Sequence, residues 1–284
     1  MQAQPSTTIT VPKSWTTSPD DPIRITNYPE SSKTVTPILV VALNRPDKLN
    51  SFTGEMFHKL EQFFTVVSHD RRVKVVVLTG AGTTFSAGID LNMDARVPKN
   101  VPLTDIRDIG GRISLAMFNC SKTIIVAYNG LAVGVALTAT LAAAIRQGNI
   151  AGHPASKIML MIYQRIASSK SKFGFPFARI GLNMESASGF FLPRMVGYSR
   201  ATYLTTTGLT YPAESKALDG LFSELVPEPK DVLPRALQLA EEIAARVSTV
   251  AAHLNRQIIW RNPGSAEAAH LVDSPVLAHM FASG

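Results

Sequence analysis

The 284-residue chain predicts an α/β fold, and three observations carry the prediction. Val73 to Thr79 and Thr123 to Tyr128 are β-branched runs continuous enough to be strands covered on both faces. Met56, Leu60, Phe63, Phe64 and Val67 recur at helical spacing just ahead of the first run. Each strand then leads into a turn of small residues. The first is Phe85-Ser86-Ala87-Gly88-Ile89-Asp90-Leu91 and the second is Asn129-Gly130-Leu131-Ala132-Val133-Gly134-Val135. Glycine lets such turns tighten and present a backbone N–H, and two converging N–H groups would polarise a carbonyl.

The elements follow in order. Residues 1–32 are rich in Thr, Pro and Ser and read as a loose extension that becomes a strand near Ile23-Arg24-Ile25. The core begins with a strand from Pro37 to Leu43. A helix follows with Thr53 as its N-cap, which completes a β-α-β unit with the strand from Val73. A second helix is expected around Ile106 to Phe118, and a third from Gly134 to Ala144 beneath the second turn. Beyond Ser199 the chain reads as helical, with Leu233 to Val247 and Val250 to Ile259 apolar on one side. The expected divisions are an extension over 1–32, a core over 33–198 and a helical region over 199–284.

Composition narrows the function. A hydrophobic content of 45% suits one substantial core. No apolar run approaches the roughly 18 residues of a membrane span, and the N-terminus lacks a secretory apolar segment, so a soluble intracellular protein is expected. Cys120 is the single cysteine, which excludes an internal disulfide and reads as core filler. The six histidines show no ligand spacing, so no metal is expected. A net charge of +7 favours an anionic partner, yet the basic residues are scattered and form no stripe, which argues against nucleic acid.

With those two turns, three further stretches complete a resemblance. They are Leu43-Asn44-Arg45-Pro46-Asp47-Lys48-Leu49-Asn50-Ser51, Phe173-Gly174-Phe175-Pro176-Phe177-Ala178-Arg179-Ile180-Gly181-Leu182 and Leu192-Pro193-Arg194-Met195-Val196-Gly197. In this order the chain resembles the crotonase (enoyl-CoA hydratase/isomerase) superfamily from about Pro37 onward. The resemblance implies a spiral of repeated ββα units and an acyl-CoA substrate, with coenzyme A as part of that substrate and no tightly bound cofactor. It also implies a homotrimer or a dimer of trimers, although periodicity alone suits a helical cap packed on its own core equally well.

The resemblance implies site residues as well. The amides of Ile89 and Val135 would form an oxyanion hole, with Ala87, Gly88, Asp90, Leu91 and Gly134 beside the substrate. Asp90 could equally be a turn aspartate. The two positions that hold glutamates in hydratases of the superfamily are Thr138 and Phe177 here, and neither can activate water. Gly181-Leu182-Asn183-Met184-Glu185-Ser186 instead resembles the branch that converts 3-enoyl-CoA to 2-enoyl-CoA, which places its single catalytic glutamate at Glu185. Phe175, Phe177 and Phe190 are expected to give Glu185 an apolar setting and raise its pKa. The plainer reading of Glu185 is a carboxylate at the N-terminus of the next helix.

Two departures from the pattern stand out. Gly148 to Ile166 falls where the superfamily runs directly from helix to strand, and its removal would join Gln147 to Ala167 in frame. A retained intron and a surface insertion are both expected readings. The superfamily pattern at the end normally continues into a final helix and often a peroxisomal tripeptide. Ala282-Ser283-Gly284 is not such a signal, so a truncated chain, a lost signal and a cytoplasmic location are open beside the peroxisomal location that resemblance implies. The expected activity is 3-enoyl-CoA isomerisation; hydration, dienoyl-CoA isomerisation and silent acyl-CoA binding are the alternatives.

Overall fold

The computed structural model describes residues 9–93, 101–143 and 163–282. Its main sheet has the order β1 (Ile23–Tyr28), β2 (Ile38–Leu43), β3 (Val75–Gly80), β4 (Thr123–Tyr128), β6 (Tyr163–Ser168) and β9 (Glu224–Val226). β1 runs antiparallel to β2, with Ile23 opposite Leu43, and every later neighbour is parallel. A smaller sheet joins β5 (Ala132–Val133), β7 (Lys172–Gly174) and β8 (Thr210–Pro212). This is the mixed α/β architecture that the resemblance implied.

Strand alternation divides the interior into two layers. Leu39, Val41, Val76, Leu78, Ile124 and Val126 face one core, which α1 (Gly54–Val67) and α2 (Ile109–Asn119) cover. Their neighbours Ile38, Val75, Val77, Ile125 and Ala127 face the other, closed by Val232, Ala236, Leu239 and Ile243 of α6 (Pro229–Arg246). Both faces of β3 and β4 are therefore buried, which is why these strands are continuously apolar. The expected N-cap is present: the Thr53 hydroxyl accepts from the Met56 N–H at 3.3 Å.

Three expectations need adjustment. The third helix is one turn, α3 (Val135–Thr138), followed by a 3-10 turn over Leu141–Ala143. The region beyond 199 also supplies strands, because β8 and β9 interrupt its helices and β9 closes the sheet. Most of Gly148 to Ile166 lies outside the described residues. Its last four residues form the first positions of β6, paired with β4 from Ile124 to Ala127, and so belong to the main sheet. Arg165 there is 1% exposed, and burial lowers its pKa to about 10.

The C-terminal part runs through α4 (Ser188–Val196), α5 (Tyr198–Thr207), α6, α7 (Thr249–Trp260) and α8 (Ala266–Ala282). α8 buries none of its side chains and leaves Leu271, Leu277 and Phe281 exposed. Among the described residues, no helix is long and apolar enough to cross a membrane.

Candidate active site

β3 and β4 are adjacent and parallel, so the turns that follow them leave the sheet at the same edge. Two asparagines hold those turns. The Asn129 amide donates to the Gly80 and Gly82 carbonyls and accepts from the Gly80 N–H, clipping the end of β3 to the turn after β4. Asn50 donates to the Ala81 and Thr84 carbonyls and accepts from the Arg45 N–H. Both belong to motifs visible in the sequence, but their function as clips was not legible there.

The two turns then run side by side. Ser86 bridges Ala132, with Ser86 N–H donating to Leu131 O at 3.0 Å and Val133 N–H to Ser86 O at 3.3 Å. Three residues beyond each bridging position come Ile89 and Val135. On one side, Phe52 N–H donates to Gly88 O and Asp90 N–H to Phe52 O, so the Ile89 N–H points away from that bridge. Val135 is the first residue of α3, whose N–H has no partner within its helix. Neither amide donates to an acceptor among the described residues.

Glycine is required at both turns. Gly88 has φ +97, and a Cβ there would lie 3.1 Å from the Val133 carbonyl oxygen. Gly134 has φ 58 and ψ −132, a conformation that side chains disfavour, and the space over its Cα is empty. Leu91 is almost wholly exposed and Ile89 partly so. Asp90 pairs with Arg45 at 2.9 Å and accepts from the Asn92 N–H. These hydrogen bonds, led by that from Arg45, lower its pKa and fit the turn-aspartate reading.

Glu185 precedes α4, yet its side chain does not cap that helix. It crosses to α3, where Thr138 Oγ1 donates to Oε1 at 2.5 Å, while the Ser186 hydroxyl donates to Oε2. The carboxylate lies over the first turn of α2: a Cβ on Gly110 would collide with Glu185 Oε2 and Ser186 Oγ and approach Val135 Cγ2. Burial drives the Glu185 pKa up, the two hydroxyls oppose that, and Asp108 adds to the rise, for a value of about 7. Thr138, which cannot itself serve as a base, is thus a hydrogen-bond donor to Glu185.

The aromatic setting expected for Glu185 is distributed differently. Phe175 and Phe177 are core residues, and Phe190 packs against Phe191 and Trp260 with the Arg194 guanidinium over its ring. The neighbours that the structure gives the carboxylate are Thr138, Ser186, Gly110 and Asp108. Asp108 was missed in the sequence; the signal was an aspartate two residues before Gly110-Gly111 at a helix start. Two surface grooves, one under the N-terminal arm at Trp15 and Lys59 and one between α1 and α2 at His69 and Arg112, include none of these residues. Among the described residues, no three His, Cys, Asp or Glu side chains gather as a metal cluster.

Two amides without an acceptor among the described residues and a carboxylate of raised pKa suit the superfamily that the sequence resembles, and comparison with known proteins shows an enzyme of that superfamily. A family model described as enoyl-CoA hydratase/isomerase matches residues 33–156 and 147–281. The enoyl-CoA hydratase AFT3-1 of Alternaria alternata is 40% identical over 246 residues, which cover 87% of this chain and 76% of that protein. A probable enoyl-CoA hydratase/isomerase from Mycobacterium abscessus superposes with a TM-score of 0.73 at 25% identity, over 88% of this chain and 89% of that one. A monofunctional enoyl CoA isomerase from M. smegmatis gives 0.62 at 26% identity, over 84% and 95%. The chain belongs to the enoyl-CoA hydratase/isomerase family.

Proposed function

We propose that the protein is an acyl-CoA isomerase that moves a 3-enoyl-CoA double bond to the 2-position. The observation that carries this reading is one carboxylate of raised pKa, Glu185, with Thr138 and Phe177 where a hydratase of the superfamily would hold glutamates. The thioester carbonyl would accept from the Ile89 and Val135 amides, with Ala87, Gly88, Leu91 and Gly134 lining its approach and Asp90 bracing the turn. Glu185 takes a proton from C2, and the C2–H electron pair moves through the dienolate onto the thioester oxygen. The charge returns as C4 accepts the proton from the same carboxyl. Donors aimed at the oxyanion favour the dienolate over the ground state, and each is typically worth about 10²–10³ in rate.

Hydration is the second reading, favoured by the name of the Alternaria alternata relative. One pair of assays separates the two. A 3-enoyl-CoA should gain the absorbance of a conjugated thioester on isomerisation, whereas a 2-enoyl-CoA should lose it on hydration. Loss without any gain would replace the isomerase reading with a hydratase one; binding without either reaction would leave a silent acyl-CoA-binding member of the family.

A further inference from the structure

We propose that Asp108 is a positioning residue for Glu185, tying the loop that carries this carboxylate to the first turn of α2 and occupying the helix end over which it lies. The inference rests on the reading of Glu185 as the base.

The tie is made by a single oxygen. Asp108 Oδ1 accepts from the Gly111 N–H at 2.5 Å, as the N-cap of α2, and also from the Ser186 N–H at 3.1 Å. Ser186 in turn donates through its hydroxyl to Glu185. The loop needs such an anchor, because Ser186 and Ala187 have φ of 63° and 53° and neither is glycine. Backbone of this kind persists only where its surroundings hold it. Without Asp108, the Ser186 N–H would lose its acceptor and the left-handed pair its brace.

The helix end matters as much. Gly110 leaves room for the Glu185 carboxylate directly over the first turn of α2. A helix N-terminus normally stabilises an anion and would make Glu185 a weaker base. Asp108 already takes the Gly111 amide and sets its own negative charge there. The groups facing Glu185 are Thr138 of α3, Ser186 of its own loop, and Gly110 and Asp108 at the start of α2. Of these only Asp108 ionises, and its charge and hydrogen bonding raise the Glu185 pKa, while burial is the larger cause.

Two substitutions separate this role from simple capping. Asp108→Asn keeps an N-cap acceptor but removes the charge. It should move the acid limb of kcat/KM for a 3-enoyl-CoA to lower pH by about one unit, the order of shift one neighbouring charge produces. It should also lower the plateau several-fold. Ser186→Ala removes a hydroxyl that favours the carboxylate form, and should move the limb to higher pH. The same shifts are read without substrate from ¹³C-labelled glutamate carboxyl resonances, using the one that Glu185→Gln abolishes.

Opposite shifts in the two variants are expected. A Glu185 resonance that titrates at its wild-type pH in Asp108→Asn, with only thermal stability lowered, would reduce Asp108 to a helix cap and overturn the proposal. Should that variant fail to fold, an unmoved resonance in Ser186→Ala would overturn the linkage through Ser186. If the enzyme does not isomerise a 3-enoyl-CoA at all while the resonance shifts as described, the functional reading fails and the link between the two carboxylates stands.

Discussion

At the N-terminal arm, Asp70 accepts from the Trp15 indole at 2.8 Å and from both the side chain and the backbone of Arg72, which itself reaches back to the Pro12 and Lys13 carbonyls. At the site, Glu185 accepts from two hydroxyls and lies beside another carboxylate. Burial pushes both acids upward. At Asp70, donors that include a guanidinium outweigh it and hold the pKa at about 2; at Glu185, neutral donors do not, and the value is about 7. What separates the buttress from the carboxylate of raised pKa is the balance of donors against burial: the Arg72 side chain, the Trp15 indole and the Arg72 backbone together outweigh burial at Asp70, and the two hydroxyls at Glu185 do not.

The largest effect tests the base end of that comparison. Glu185→Gln should lower isomerase turnover by at least about 10²-fold, the low end of what a positioned general base contributes, with acyl-CoA affinity and circular dichroism unchanged. In the unmodified protein, kcat/KM should fall about tenfold per pH unit below about 7, because the base must first lose its proton. A variant that kept its turnover would move the base to another carboxylate and dissolve the contrast.

The second test takes the buttress. Asp70→Asn should cost about 1–3 kcal/mol of stability, since a buried acceptor for Trp15 and Arg72 is weakened. Turnover and its acid limb should stay put, because the arm is held at the start of β3 and the site lies past its other end. The measurement is a thermal melt beside the isomerase assay. A loss of turnover without a fall in melting temperature would mean the two regions are coupled.

The contrast also separates what a sequence shows from what it hides. β4 coincides with its expected run, and β2 and α1 lie within a residue of theirs, because apolar period and a threonine cap are local signals. The paired turns were legible for the same reason. Thr138 and Asp108 were not, because a hydrogen-bond partner 47 positions away or a carboxylate 78 positions from Ser186 leaves no local periodicity. β6 was hidden because two segments of the sequence suit its place before Ala167. Ala144-Ile145-Arg146-Gln147, read directly onto Ala167, puts an arginine at the same distance before Ala167 as Arg165 in Tyr163-Gln164-Arg165-Ile166. Deleting Gly148 to Ile166 should therefore give a folded protein with that sheet position filled by Ala144 to Gln147, and with a melting temperature no lower than before. A deletion variant that fails to fold, or a mature message that encodes the segment, would make the longer chain the genuine form.

The smallest effect is the most specific, because the two acids should pull stability in opposite directions with pH. The pKa of Glu185 is raised from 4.5 to about 7, so the folded state holds this proton more tightly than the unfolded state does. Its contribution is complete below about 4.5 and is lost as pH rises through about 7. Asp70 is lowered from 3.8 to about 2, so its contribution is complete above about 3.8 and is lost as pH falls through about 2. Glu185→Gln, which has no proton to lose, should therefore gain melting temperature relative to the parent between pH 5 and pH 8. Asp70→Asn should trail the parent at pH 6 and approach it as the pH falls from 4 towards 2. Differences that stay flat with pH would show that neither carboxylate has the neighbours described. Differences of the same sign would show that the balance of donors against burial is not what separates them.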